Sequence, residues 1–407
     1  METEKKRVIY KSIMLVLITA MITFMITSIG IYNYFTKTEQ GKKHVVSVVI
    51  QDEQTTTLTD YSALQQRLSL IKAYLGQKYI GELDEEEMLQ GAIKGYVDGL
   101  EDEYTEYLTK SEYEELMVNV TGDFVGIGIY MTKDTQGNVV ILLPIEGSPA
   151  EEVGLQTGDI ILTVEGEECQ EMDLDIVSSK IKGEEGTKVK LEIVRDGNII
   201  EQEVERRTVV IKDSYSEILE NNIGYIQLIT FDEESATNVE KYINEFQEQG
   251  INKIILDLRD NTGGMVTEAI ELCELFIKKD NIIMKSYNKT NAEKIVKSSN
   301  DNTKDVELIL LVNEMSASAS EIVTGALKDN KLATIIGTTT YGKGVMQEIM
   351  PIFGGEAALK LTTEEFFTPN GDKINKVGIE PDIVIEDDLN TEEDEQLERA
   401  IQIFENN

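Results

Sequence analysis

The 407-residue chain has one histidine, two cysteines, five prolines and no tryptophan. The histidine, His44, sits just after an apolar segment, so neither a histidine-rich zinc site nor a Ser-His-Asp triad can be assembled. Cys169 and Cys273 stand about a hundred residues apart and make neither a disulfide framework nor a CxxC pair, so both read as plain thiols. Basic residues are scarce too: 38 lysines and arginines against 76 acidic residues leave a formal charge of −38. Binding phosphates requires patches of lysine and arginine, so this balance argues against a nucleic-acid partner. No metal site and no cofactor are expected.

Apolar residues make up 41% of the chain, enough to build the cores of two or three domains. Residues 12–32, "SIMLVLITAMITFMITSIGIY", carry no charge and are long enough to cross a bilayer as a helix. Lys5, Lys6, Arg7 and Lys11 precede them, which by the positive-inside rule keeps residues 1–11 cytoplasmic. The expected placement is a single-pass anchor in a bacterial cytoplasmic membrane, with everything from about residue 36 onward outside. A cleaved signal peptide is the alternative, although the run exceeds a usual h-region and no A-x-A-like site follows. Residues 33–58, His44 among them, read as a linker.

Residues 59–117 carry helical periodicity, with Leu64, Leu68, Ile71 and Leu75, then Met88, Ala92, Ile93 and Val97. They predict a small helical domain suited to packing or to a homodimer contact. Between 118 and 207 the pattern turns to strands, with an Asp-Gly turn joining two alternating runs and one short helix at "GSPAEEVGL". Ser148 as N-cap, Pro149 at the first helical position and Glu151 three residues after the serine mark where that helix starts. From 208 to 390, short apolar strands such as "KIILDLR" and "VELILLVN" alternate with helices, the signature of parallel βαβ units. Residues 391–407 predict an acidic C-terminal helix.

In such α/β units, functional groups gather where strands end and helices begin, because backbone N–H groups are free there. "NEMSASASEI", residues 313–322, puts three serines at that place. Ser318 and Glu321 also match a plain capping box, which would need no chemistry. Lys343, between Gly342 and Gly344, leaves the next strand and can serve as a base if burial lowers its pKa. Packing by Tyr341 and Val345 is the expected source of that burial. In "DLRDNTGG", Gly263 or Gly264 can present a backbone N–H for an oxyanion hole, with Ala319 as second donor.

These stretches carry a resemblance. "SASASE", a lysine 25 positions after the middle serine, a glutamine four further on, "DLRxNxGG" before and "FFTPNGDKINKVGIEPDI" after are similar to the carboxyl-terminal processing peptidases, the tail-specific S41 serine proteases. The resemblance runs from about residue 96 to 385. Glu103 departs from the family's usual proline, as does Thr262 before the paired glycines.

Beside the transmembrane anchor and helical domain read above, it implies a β-rich PDZ domain over 118–207 and an α/β protease core over 208–390, an α/β multidomain chain in all. It makes Ser318 the nucleophile, Lys343 the general base and Gln347 the residue that orients the lysine, with Glu321 and Asp329 as supporting acidic positions. The PDZ domain would hold a substrate's carboxylate on the loop Gly126, Ile127, Gly128 and Ile129, adding the tail as a strand. The implied partners are proteins or peptides with apolar C-termini. A catalytically silent PDZ-type adaptor and an acyl-transferring enzyme remain as alternatives.

Overall fold

The computed structural model describes residues 61–386 and 393–406. The expected N-terminus 1–11, apolar span 12–32 and linker 33–58 lie outside the described residues. Among those described, no helix is long and apolar enough to cross a membrane. The chain forms two compact units, one ending at Leu83 and the other beginning at Asp84. The first holds helix α1 (Tyr61–Lys78).

The second unit opens with α2 (Glu85–Asp98), capped by Asp84, whose carboxylate accepts the N–H groups of Glu86 and Glu87. Strand β1 (Glu106–Thr109) and helix α3 (Lys110–Thr121) follow, the helix started by a Thr109/Glu112 capping box. The strand corrects the expectation of an all-helical segment to 117. Tyr107 and Leu108 are buried because "EYLT" pairs with a distant strand of the protease core.

The β-rich region contains β2 (Asp123–Gly126), β3 (Ile129–Lys133), β4 (Val139–Pro144), helix α4 (Pro149–Glu152), β5 (Ile160–Val164) and β6 (Glu167–Glu168). Helix α5 (Leu174–Ile181), β7 (Lys188–Arg195), β8 (Asn198–Glu205) and β9 (Arg207–Val210) complete it. Strands β3, β4, β5, β7 and β8 form an antiparallel sheet in that order, while β2 pairs with β9. Helix α5 was not expected from the sequence. Its Val177 and Ile181 are buried in the same cluster as Ile141, Ile161 and Leu191 of the sheet.

The core follows as β10 (Ser214–Leu219), β11 (Ile223–Leu228), α6 (Ser235–Glu248), β12 (Lys253–Asp257), α7 (Val266–Glu274), β13 (Ile282–Asn288) and β14 (Glu293–Lys297). Then come β15 (Glu307–Val312), α8 (Ala319–Asp329), β16 (Ala333–Gly337), β17 (Val345–Ile352), β18 (Ala357–Phe367), β19 (Ile383–Val384) and α9 (Glu395–Asn406). Strands β11, β12, β15, β16 and β19 run parallel in that order, with β10 antiparallel at the edge.

Alternation along each strand divides the apolar residues between two faces. Ile254, Leu256, Leu308 and Leu310 pack with α6, α7 and α8, whereas Ile255, Ile309 and Leu311 pack under Ala400 and Phe404 of α9. The acidic tail helix is therefore the cover of one face of the sheet. A second, antiparallel sheet is built from β1, β13, β14, β17 and β18, strands interleaved in sequence with those of the parallel one, and β1 joins it through the register Glu106↔Lys360.

The β-rich domain leaves and re-enters this unit at neighbouring points, joined by the N–H of Ile211 donating to Gly122 O at 2.8 Å. Asp213 and Asp232 are buried there, and among the described residues no cation pairs with either. Burial, with the Asp213 carboxyl beside it, pushes Asp232 from 3.8 up to about 7. A raised carboxyl contributes stability that is complete below its unfolded value of 3.8 and is lost as pH climbs towards about 7. Asp232→Asn should therefore flatten the decline in melting temperature between pH 5 and 8. At pH 8 the variant should be the more stable by on the order of 1–3 kcal/mol. Parallel pH dependences of the two proteins would contradict this.

Candidate active site

Three loops leave the carboxyl ends of adjacent parallel strands β12, β15 and β16, where α/β sheets collect their ligands. Asn261, fully buried, ties the first loop to the second. Its side-chain amide donates to Leu228 O at 2.8 Å, its Oδ1 accepts Gly263 N–H at 2.9 Å, and its carbonyl accepts Ala317 N–H at 3.0 Å. The pattern "DLRxNxGG" marked this position through the resemblance, but the sequence assigned it no role.

The geometry separates the three serines. Ser316 Oγ donates to Leu258 O at 2.7 Å and Ser320 Oγ to Asn261 O at 2.9 Å, so both outer hydroxyls are engaged in holding loops together. Among the described residues, Ser318 Oγ donates to no group. Ser318 sits at the N-terminus of α8 with φ 54° and ψ −110°. A positive φ at a residue with a Cβ is a strained geometry of the kind that gathers at reactive sites.

Gly263 packs directly on the serine. A Cβ there would stand 2.8 Å from Ser318 Cβ and 3.1 Å from Ala319 N, at φ 108°. The two glycines are not equivalent as oxyanion donors, as the sequence had left them. Gly263 N–H is turned inward to Asn261, whereas the N–H groups of Gly264 and Ala319 bond to no acceptor among the described residues. Gly264 with Ala319 is the donor pair the geometry leaves available.

Glu321 is completely buried, and its carboxylate joins the serine turn to the lysine turn. Oε2 accepts the N–H of Ser318 at 2.9 Å and that of Lys343 at 2.8 Å. Oε1 accepts Thr340 Oγ–H at 2.6 Å and Gly342 N–H at 2.7 Å. Burial pushes Glu321 above the usual glutamate range while these four donors pull it back. Its contact with the Ser318 N–H is half of a capping box, but it also fixes the neighbouring loop.

Lys343 is half-buried, and desolvation holds its amine below the usual lysine value of 10.5. Lys360 acts in the same direction, and Glu106 and Glu321 oppose it. The covering group is not the expected Tyr341, which is 56% exposed, but the Tyr104 ring, whose centroid lies 4.7 Å from Lys343 Nζ. Among the described residues, no hydrogen bond joins Lys343 Nζ to Ser318 Oγ. Nor does Gln347 reach the lysine: its amide donates to Thr362 Oγ1 at 3.5 Å. Asp329 lies at the far end of α8, roughly 16 Å along the helix axis by its rise per residue. There its carboxylate accepts Asn370 N–H at 2.8 Å.

In the β-rich domain, Gly126, Ile127, Gly128 and Ile129 line a cavity of 350 Å³ together with Leu174 and Ile181 of α5. The carbonyl of Ile127 accepts Ala150 N–H at 2.8 Å, and that of Gly128 accepts Ile145 N–H at 2.9 Å and Ser148 Oγ–H at 3.1 Å. Among the described residues, the N–H groups of Ile127 and Gly128 donate to no acceptor. Gly128 has φ 78°, and a Cβ there would stand 2.3 Å from Ser148 Cβ, so the loop admits only glycine.

Comparisons with known proteins agree with this architecture. Residues 222–385 match the model of peptidase family S41, residues 140–195 a PDZ domain, and residues 16–112 the activating protease CtpB N-terminal domain. The carboxy-terminal processing protease CtpA of Bacillus subtilis (strain 168) is 34% identical over 320 residues, 78% of this chain and 68% of the relative. A probable CtpA-like serine protease of Staphylococcus haemolyticus is 35% identical over 350 residues, covering 85% and 68%. Among solved structures, the photosystem II D1 C-terminal processing protease aligns with TM-score 0.48 and 27% identity, over 82% of this chain and 90% of that one. The chain belongs to peptidase family S41, as a carboxy-terminal processing serine protease that carries a PDZ domain.

Proposed function

We propose that the protein is a membrane-anchored endopeptidase that captures apolar protein C-termini through its PDZ domain and cuts near them with a Ser318–Lys343 dyad. One observation carries this reading: a single buried oxygen, Glu321 Oε2, binds the N–H groups of both Ser318 and Lys343, keeping the two turns side by side. In this mechanism neutral Lys343 removes the Ser318 proton as Oγ attacks the scissile carbonyl. The N–H groups of Gly264 and Ala319 stabilise the oxyanion, and the lysine returns its proton to the leaving amine. Water then releases the acyl group from Ser318. Gln347 orients the amine once Lys343 turns from Tyr104 towards the serine. Anchoring is inferred from the uncharged run 12–32 and the basic residues before it.

The test is turnover of an unfolded protein ending in apolar residues by the full-length chain in detergent micelles. Fragments cut near the C-terminus are expected, and extending the substrate's tail with charged residues should slow their appearance. Tight binding of the tail without cleavage would replace this reading with the peptide-binding adaptor.

A further inference from the structure

The residue that covers the lysine lies far from it in sequence, in a stretch that the S41 model does not reach. Tyr104 belongs to Asp102–Thr105, just ahead of β1. Asp102 accepts Tyr104 N–H at 3.4 Å and the Thr105 hydroxyl at 2.5 Å, folding the stretch into a turn. Thr105 Oγ1 in turn accepts Thr362 N–H of β18 at 3.1 Å, and Thr362 is also the partner of Gln347. The turn is thus fastened to the strand that lies beside Lys343, and it delivers the Tyr104 ring to within 4.7 Å of Lys343 Nζ. An ammonium over an aromatic face is attracted by the ring quadrupole, and a neutral amine much less so.

We propose that Tyr104 is a positioning residue for the reaction, its ring seating Lys343 as a parked cation that must leave this seat to reach Ser318. The proposal rests on the dyad reading above. The other charged groups acting on the amine are Lys360 on β18, Glu106 on β1 and Glu321 on α8. Lys360 and Glu106 are 3.7 Å apart and largely offset one another. Tyr341 and Glu103 adjoin the Tyr104 hydroxyl, at the edge of the ring and not its face. The seat favours the protonated lysine, so weakening it moves the acid limb of kcat/KM to lower pH.

The experiment replaces Tyr104 by phenylalanine and by phenylalanines of increasing ring fluorination, a series that drains the ring face of negative charge at nearly constant shape. Profiles of kcat/KM against pH are then recorded, beside Tyr104→Leu. The limb should step down along the series, by about half a pH unit or more at its end. On the acid side this reads as a roughly threefold gain. A limb that stays in place or moves up overturns the proposal, as does a uniform loss of kcat without movement, the mark of a purely structural residue. Should Tyr104→Leu fail to fold, the isosteric series decides alone. Lys343→Ala separates the two failures: activity retained in it defeats the dyad, whereas activity lost with an unmoved limb in the series defeats only the role of Tyr104.

Discussion

Lys343→Ala is expected to lower kcat/KM on a tailed protein substrate by about 10³-fold or more, with little loss of folded stability. Stability is largely retained because the substitution deletes a half-buried amine whose charged form burial disfavours, and among the described residues Nζ makes no hydrogen bond. The backbone N–H of residue 343 still reaches Glu321, so the turn keeps its place. Ser318→Ala should lose as much, and the double variant scarcely more, because the two groups act in one step. The wild-type pH profile supplies the sign. A lysine base works only when neutral, so activity rises with pH through its pKa, and desolvation places that limb below the ordinary 10.5. A profile independent of pH up to 10.5, or turnover surviving in Lys343→Ala, would rule the lysine out as base.

How much of this was legible beforehand depends on the range of the interaction. The parallel strands could be read from runs such as "KIILDLR" and "VELILLVN", because a strand buried on both faces carries its burial in its own composition. The serine, lysine and glycine turns could be read because strand ends and glycines are local signals. Strand β1 could not, since "EYLT" is a strand only by virtue of pairing with residues 357–360, some 250 positions on. Tyr104 escaped for the same reason: its partner is Lys343, and no spacing rule joins them. The opposite error occurred with Tyr341, which adjoins the lysine in sequence but is more than half exposed. Helix α5 was missed although Leu174, Val177 and Ile181 stand at spacings of three and four, because the flanking strands dominated the reading. Glu321 was noticed as a capping residue, but one loop's sequence cannot show that its second oxygen serves another loop.

Glu321→Gln is the substitution that asks whether that carboxylate holds the site together. Four donors converge on two oxygens, and an amide can offer an oxygen to only one pair of them. The other pair would face an NH2 group inside a fully buried pocket, losing two charge-assisted hydrogen bonds of about 1.5–3 kcal/mol each. A loss of roughly 3–5 kcal/mol in folding stability is expected, since the displaced donors have no water to turn to. The cost in rate should be at least about 10²-fold in kcat, because a displacement near 1 Å between nucleophile and base has that effect. KM should move little, as the loop proposed to hold the tail lies in another domain. Thr340→Val gives the scale: it removes one donor to Glu321 and the acceptor of the buried Ile379 N–H but leaves the Ser318 and Lys343 contacts intact, so about 2–3 kcal/mol and less than tenfold in kcat are expected. If both variants lose stability but Glu321→Gln keeps its kcat, Glu321 is only a structural cap. If kcat falls steeply in Glu321→Gln alone, the shared oxygen is what keeps Ser318 and Lys343 within reach of each other.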